Sequence, residues 1–65
     1  MIELCKLEGK KVRLVDNEGK VWIGTVGDYC WEDDEDPESI ILDTDQAPFP
    51  EEFDHTRIRS IEIIE

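Results

Sequence analysis

The stretch G-K-K-V-R-L-V-D-N-E-G-K-V-W-I-G-T-V, residues 9–26, decides the fold. From Lys11 to Val15 apolar and charged side chains alternate, with Val12 and Leu14 on one face and Lys11 and Arg13 on the other. That is the period-two pattern of a half-buried strand. Asp16, Asn17, Glu18 and Gly19 punctuate it, and the apolar run Val21, Trp22, Ile23 follows at once. A glycine where the turn needs positive φ, between two such runs, predicts a hairpin. The second strand is predicted from Lys20 to about Trp31 and contains Gly24 and Gly27. Glycine inside a strand marks a bulge or sharp bend, as a small barrel requires where one strand serves two sheets. Trp22 and Val26 share a face, while Val21 and Ile23 point the other way. The second face is either covered by the N-terminal segment or makes a subunit contact, so Val21 and Ile23 are candidate interface residues.

Working outward, Ile2, Leu4, Cys5 and Leu7 precede Gly9 among good helix formers. A turn or two of helix ended by glycine is expected, held only by laying its apolar side on the sheet. Downstream, E-D-D-E-D-P-E (residues 32–38) reads as a loop, because like charges repel and Pro37 cannot continue a ladder. Ile40, Ile41 and Leu42 predict a third strand over residues 39–44. Residues 45–54 read as an irregular connection with a short strand near Phe49 or Phe53. His55, Thr56 and Arg57 form a tight turn into a last strand over residues 58–64, with Ile61 and Ile63 on one face. Short strands separated by turn signals, in 65 residues, predict an all-β fold: one small, strongly bent five-stranded barrel spanning residues 1–65. A chain this short buries only about 60% of its unfolded surface, and thin cores favour self-association.

Eighteen acidic against seven basic residues give a net charge of −11, which at long range repels phosphate polymers and anionic membranes. Half of the acidic residues fall in two runs: Glu32, Asp33, Asp34, Glu35, Asp36 and Glu38, then Glu51, Glu52 and Asp54. The rest of the domain is nearly balanced. Met1 to Gly9 has neither the basic start nor the apolar run of a secretory signal, and no stretch approaches the ~20 apolar residues that span a bilayer. A cytoplasmic protein is expected. Cys5 and Cys30 then fit as reduced, small buried groups, although one disulfide between them stays open.

Residues 9–26 resemble the first motif of Sm-like proteins, with Gly19 and Gly24 in the two glycine places of that motif. The closing R-I-R-S-I-E-I-I, residues 57–64, is similar to the second motif; Ile58 and Arg59 match, and Ser60 stands where glycine is usual. The resemblance implies an SH3-like barrel topped by a short helix, often built into rings through edge strands, and in many members binding single-stranded RNA. In RNA-binding members an aspartate and an asparagine after the bent strand help form the base pocket. Here that region is Tyr29, Cys30, Trp31 and the acidic run, and the one asparagine, Asn17, lies in the first turn. Arg59 matches the family's arginine. Tyr29 and Trp31 offer stacking surfaces for bases, or else serve with Trp22 as core and loop anchors.

Other constellations are weaker. Lys6, Lys10, Lys11 and Arg13 are a local basic patch of the kind most often simply solvated. Calcium loops alternate ligands with spacers around a glycine, whereas residues 32–36 are contiguous acids without one. Two cysteines and one histidine, far apart in sequence, lack zinc-ligand spacing. Cys30 with His55 is the one nucleophile–base pair to consider, and nothing in the sequence joins them or supplies an orienting group. The expectation is a non-enzymatic interaction module without cofactor, metal or membrane, which self-associates or binds a protein partner through strand edges. An RNA-binding Sm-like ring is the alternative. A third reading has the acidic surface occupying a basic protein site.

Overall fold

The computed structural model describes residues 3–65. They form a 3-10 turn, Leu4–Lys6, and five strands: β1 (Lys11–Asp16), β2 (Val21–Cys30), β3 (Ser39–Asp43), β4 (Glu51–Asp54) and β5 (Ile58–Ile63). The strands make one antiparallel sheet in the order β4-β3-β2-β1-β5. The protein is all-β.

The β1–β2 hairpin closes as its sequence predicts. Gly19 takes φ +87°, a region that side-chain-bearing residues rarely adopt. Asp16 is buried and organises the turn. Its Oδ1 accepts from the Glu18 and Lys20 amides, each at 2.9 Å, and its Oδ2 accepts from Trp22 Nε1 at 3.0 Å. The Lys20 ammonium lies 4.1 Å above the Trp22 ring.

Strand β2 belongs to two ladders. Val21 to Thr25 pair with β1, and Thr25 to Cys30 pair with β3. At the changeover the backbones nearly touch: a Cβ on Gly24 would lie 2.1 Å from the Asp43 carbonyl oxygen. Gly27 is the extra residue of a bulge, because Val26 pairs with Leu42 and Asp28 with Ile41. These two features bend the sheet so that β3 and β4 swing over the inner face of β1 and β2. Val12, Leu14, Trp22, Val26, Ile40, Leu42 and Phe53 are buried in one cluster, closed at one end by Leu4 and Leu7. Trp22 and Phe53, two strands apart in the sheet order, meet edge to face at 5.3 Å. Phe53 thus marks the short fourth strand, whereas Phe49 is exposed.

Four expectations are corrected. The sheet is open: no ladder joins β4 to β5, so a closed barrel is not formed among the described residues. The predicted helix is a single 3-10 turn, with Ile2 lying outside the described residues. This segment does not cover Val21 and Ile23. Bonds from Gly9 N to Val26 O (2.7 Å) and Val26 N to Lys10 O (3.0 Å) carry it across the core, where Leu4 and Leu7 pack on the Trp22–Val26 face. Cys5 and Cys30 are free and exposed rather than buried, because each lies on the solvent side of its element.

Two predictions follow from these turns and bends. Gly24→Ala is expected to destabilise the fold by about 2 kcal/mol or more, since backbone rather than a movable side chain blocks the new methyl; chemical unfolding measures it, and a loss under about 0.5 kcal/mol would contradict the close approach. The second concerns pH. The bond from the Trp22 indole, with the turn amides, holds the Asp16 carboxyl below its usual range, and Thr56 does the same for Asp54. Depressed folded values mean that this stabilisation is present above the ordinary carboxylate range and is lost as pH falls through the lowered values. Thermal unfolding from neutral to about pH 2 should therefore show Asp16→Asn with a lower midpoint at pH 7 and a flatter acid decline.

Candidate functional site

An open sheet leaves backbone donors and acceptors along its edges, and such rows invite another strand unless something covers them. Three stretches here lie outside the ladders. The first is the half of β2 that β3 does not reach. Gln46 Oε1 accepts from Ile23 N at 2.7 Å, Gln46 Nε2 donates to Val21 O at 2.8 Å, and Thr44 Oγ1 donates to Ile23 O at 2.8 Å. One side-chain amide thus imitates a strand peptide. Val21 and Ile23, the candidate interface residues, have exposed side chains on a backbone edge that is already occupied.

The second stretch is the outer side of β4. Arg57 Nη1 donates to Glu52 O at 2.7 Å, Arg57 N donates to Asp54 O at 3.0 Å, and the guanidinium lies 4.5 Å over the Phe53 ring. The tight turn at residues 55–57 forms as expected, pinned by Asp54 Oδ1 accepting from the Thr56 and Arg57 amides. An arginine laid along a four-residue edge strand obstructs strand addition.

The third stretch is the outer side of β5. Ile64 N donates to Lys11 O at 2.9 Å, which sets the parity of the antiparallel ladder: Ser60 and Glu62 bond toward β1, and the N–H and C=O of Ile61 and Ile63 point away from it. Among the described residues no side chain or backbone group bonds to them. Arg59 is the extra residue of a bulge, since Ser60 pairs with Val15 and Ile58 with Asp16. Beside this edge lies a groove of about 780 Å³ whose floor is Leu4, Ile58 and Ile61 and whose rim includes Glu3, Glu38 and Arg59. Ile63 and Ile64 are each 43% exposed.

A second groove, of about 610 Å³, is lined by residues that follow or precede those of the first in the chain: Ser39 next to Glu38, Asp54 next to His55 and Arg57 next to Ile58. Trp31 forms one wall and is 77% exposed; Asp33, Asp36, Glu51, Glu52 and Asp54 supply carboxylates. The acidic run contains an ordered turn, with Asp33 Oδ1 accepting from the Glu35 and Asp36 amides at 2.8 and 2.7 Å. Those bonds lower the Asp33 pKa, the Asp36 amide contributing most.

Of the candidate RNA-contact residues, Tyr29 and Trp31 are in contact and Arg59 lies in a different groove. Trp31 lines the acidic groove and Arg59 the apolar one, where its Nη2 approaches Asn17 O at 3.4 Å. Tyr29 meets Trp31 edge to face at 5.1 Å, and its hydroxyl donates to Glu38 Oε2. Of the basic patch, Lys6 pairs with Glu3 at 3.8 Å and Arg13 with Glu62 at 3.6 Å. Cys30 and His55 line different grooves. No group of three or more His, Cys, Asp and Glu among the described residues is placed to hold a metal ion.

Searches of family models, curated proteins and solved structures find no match to this chain.

The bond to Glu38, then burial, pushes the Tyr29 pKa up to about 12. The contribution of this bond to stability is intact below about pH 10 and is lost as pH rises toward the folded value. Tyr29 is the sole tyrosine. Its phenolate absorbance should rise about two pH units late in the native protein, and Glu38→Gln should return it toward 10; a native titration at the free-tyrosine value would contradict the contact.

Proposed function

We propose that the protein is a non-enzymatic interaction module which receives an added β-strand, from a second copy or from a protein partner, along the outer edge of β5. The observation that supports this is the contrast among the three edges. Side chains of Gln46, Thr44 and Arg57 occupy two of them, and the Ile61 and Ile63 amides of the third have no partner among the described residues. Main-chain bonds supply affinity in strand addition, and pockets for alternate side chains supply specificity. The groove over Leu4, Ile58 and Ile61 provides such pockets next to the open row.

This reading keeps the self-association expected of a thin core and moves its site. Val21 and Ile23 contribute chiefly side-chain surface, since the N–H and C=O of Ile23 and the C=O of Val21 are engaged. The RNA alternative draws on Trp31, whose surroundings are five carboxylates that repel phosphate.

Light scattering behind a sizing column, run on the wild type and on Ile63→Pro, is the test. Proline at position 63 removes an outward N–H and leaves the β1 ladder intact, so folding should survive. Any assembly or partner complex seen for the wild type should weaken at least about tenfold in the variant. Assembly that is indifferent to Ile63→Pro, or tight binding of short U-rich or A-rich RNA at low salt by a monomer, would overturn the reading.

A further inference from the structure

The open edge has an electrostatic sign, and the sign selects its occupant. A strand laid against β5 would have Glu3 and Glu38 on the rim of its own groove, and across residues 54–58 it would face Asp33, Asp36, Glu51, Glu52 and Asp54. Arg57, bonded to Glu52 O, and Arg59, near Asn17 O, keep their charge, but carboxylates outnumber arginines on these walls seven to two. A second copy would bring a further net charge of −11 to this surface. Like-charge approach opposes association, whereas a cationic partner gains both encounter rate and specificity.

We infer that the segment received at β5 is a basic β-strand of another protein, with apolar residues at alternate positions and lysine or arginine between or beside them. This deepens the strand-addition reading and rests on it. Period two divides the work. Apolar side chains of the incoming strand enter the groove over Leu4, Ile58 and Ile61, where the floor is apolar. Basic side chains that continue past residues 54–58 reach the acidic groove, where Trp31 presents its ring among carboxylates. A cation over an indole face with acidic neighbours is held by ring and carboxylates together. Trp31 thereby has a use for an exposure that no packing in the isolated chain accounts for.

The probes are three capped octapeptides alternating valine with lysine, with threonine or with glutamate, titrated into the full chain and followed by amide NMR. At low salt the lysine peptide should bind about tenfold or more tightly than the threonine peptide, and the glutamate peptide should not bind. Raising salt to about 0.5 M should narrow the gap. The Ile61 and Ile63 amides should shift and become protected from exchange, and Trp31→Ala should weaken the lysine peptide a few-fold while leaving the threonine peptide unchanged. Equal binding of the lysine and threonine peptides at Ile61 and Ile63, or a β5-mediated homodimer that no peptide displaces, overturns the basic partner and leaves strand addition standing. A lysine peptide that shifts only residues 32–38, or no peptide bound and no dimer, overturns both.

Discussion

The contact between Gly24 and the Asp43 carbonyl is the constraint from which the rest of the architecture follows. With no side chain at position 24, β2 passes close enough to β3 to leave one ladder and enter another at Thr25. The Gly27 bulge adds to the bend. Because β2 turns there, β3 and β4 lie over the face that β1 and β2 offer, and Phe53 reaches Trp22. A single sheet with no second layer buries a core only by curling in this way. The same changeover strands the first half of β2 without a neighbour on one side, which is where Gln46 and Thr44 are bonded.

Much of this was legible in the sequence because it depends on local pattern. Alternation in residues 11–15, the Asp16–Gly19 turn and the two glycines of β2 each carry their meaning within a few residues. The inward faces of Trp22 with Val26, and of Ile40 with Leu42, follow from period two. What escaped depends on partners distant in the chain. The Gln46 amide meets Val21 and Ile23 from 25 and 23 residues away, and an isolated glutamine in a proline-flanked connection gives no sign of that. Closure of the sheet is likewise decided by whether β4 and β5 meet, and both strands have ordinary patterns either way. The sequence left the place of the N-terminal segment open between two readings for a related reason. Its apolar residues announce that they will be buried without indicating which face of β2 they will cover.

The candidate site was harder still to read, since it consists of what is left unbonded. Ile61 and Ile63 look like core residues of a last strand, and in side-chain terms Ile61 partly is, whereas Ile63 is exposed. Their peptide groups matter because β1 uses only alternate residues of β5, and that parity is set by pairing rather than by residue type. Charge placement, by contrast, was visible: the two acidic runs predicted for loops and connections converge on one groove. An apolar slot lies beside a free row of amides, and a wall of carboxylates with an exposed indole is built from residues next to it in the chain. Recognition of an added strand is the use proposed for these features.

Residue-resolved amide hydrogen exchange, on a sample dilute enough to be monomeric, tests the account most directly. Ile23, bonded to the Gln46 side chain, should exchange slowly and speed up in Gln46→Ala, while Ile61 and Ile63 should exchange orders of magnitude faster than their neighbours Ser60 and Glu62. Slow exchange at Ile61 and Ile63 in the monomer would mean that the β5 edge is already covered, and the proposal of an edge awaiting a strand would fall.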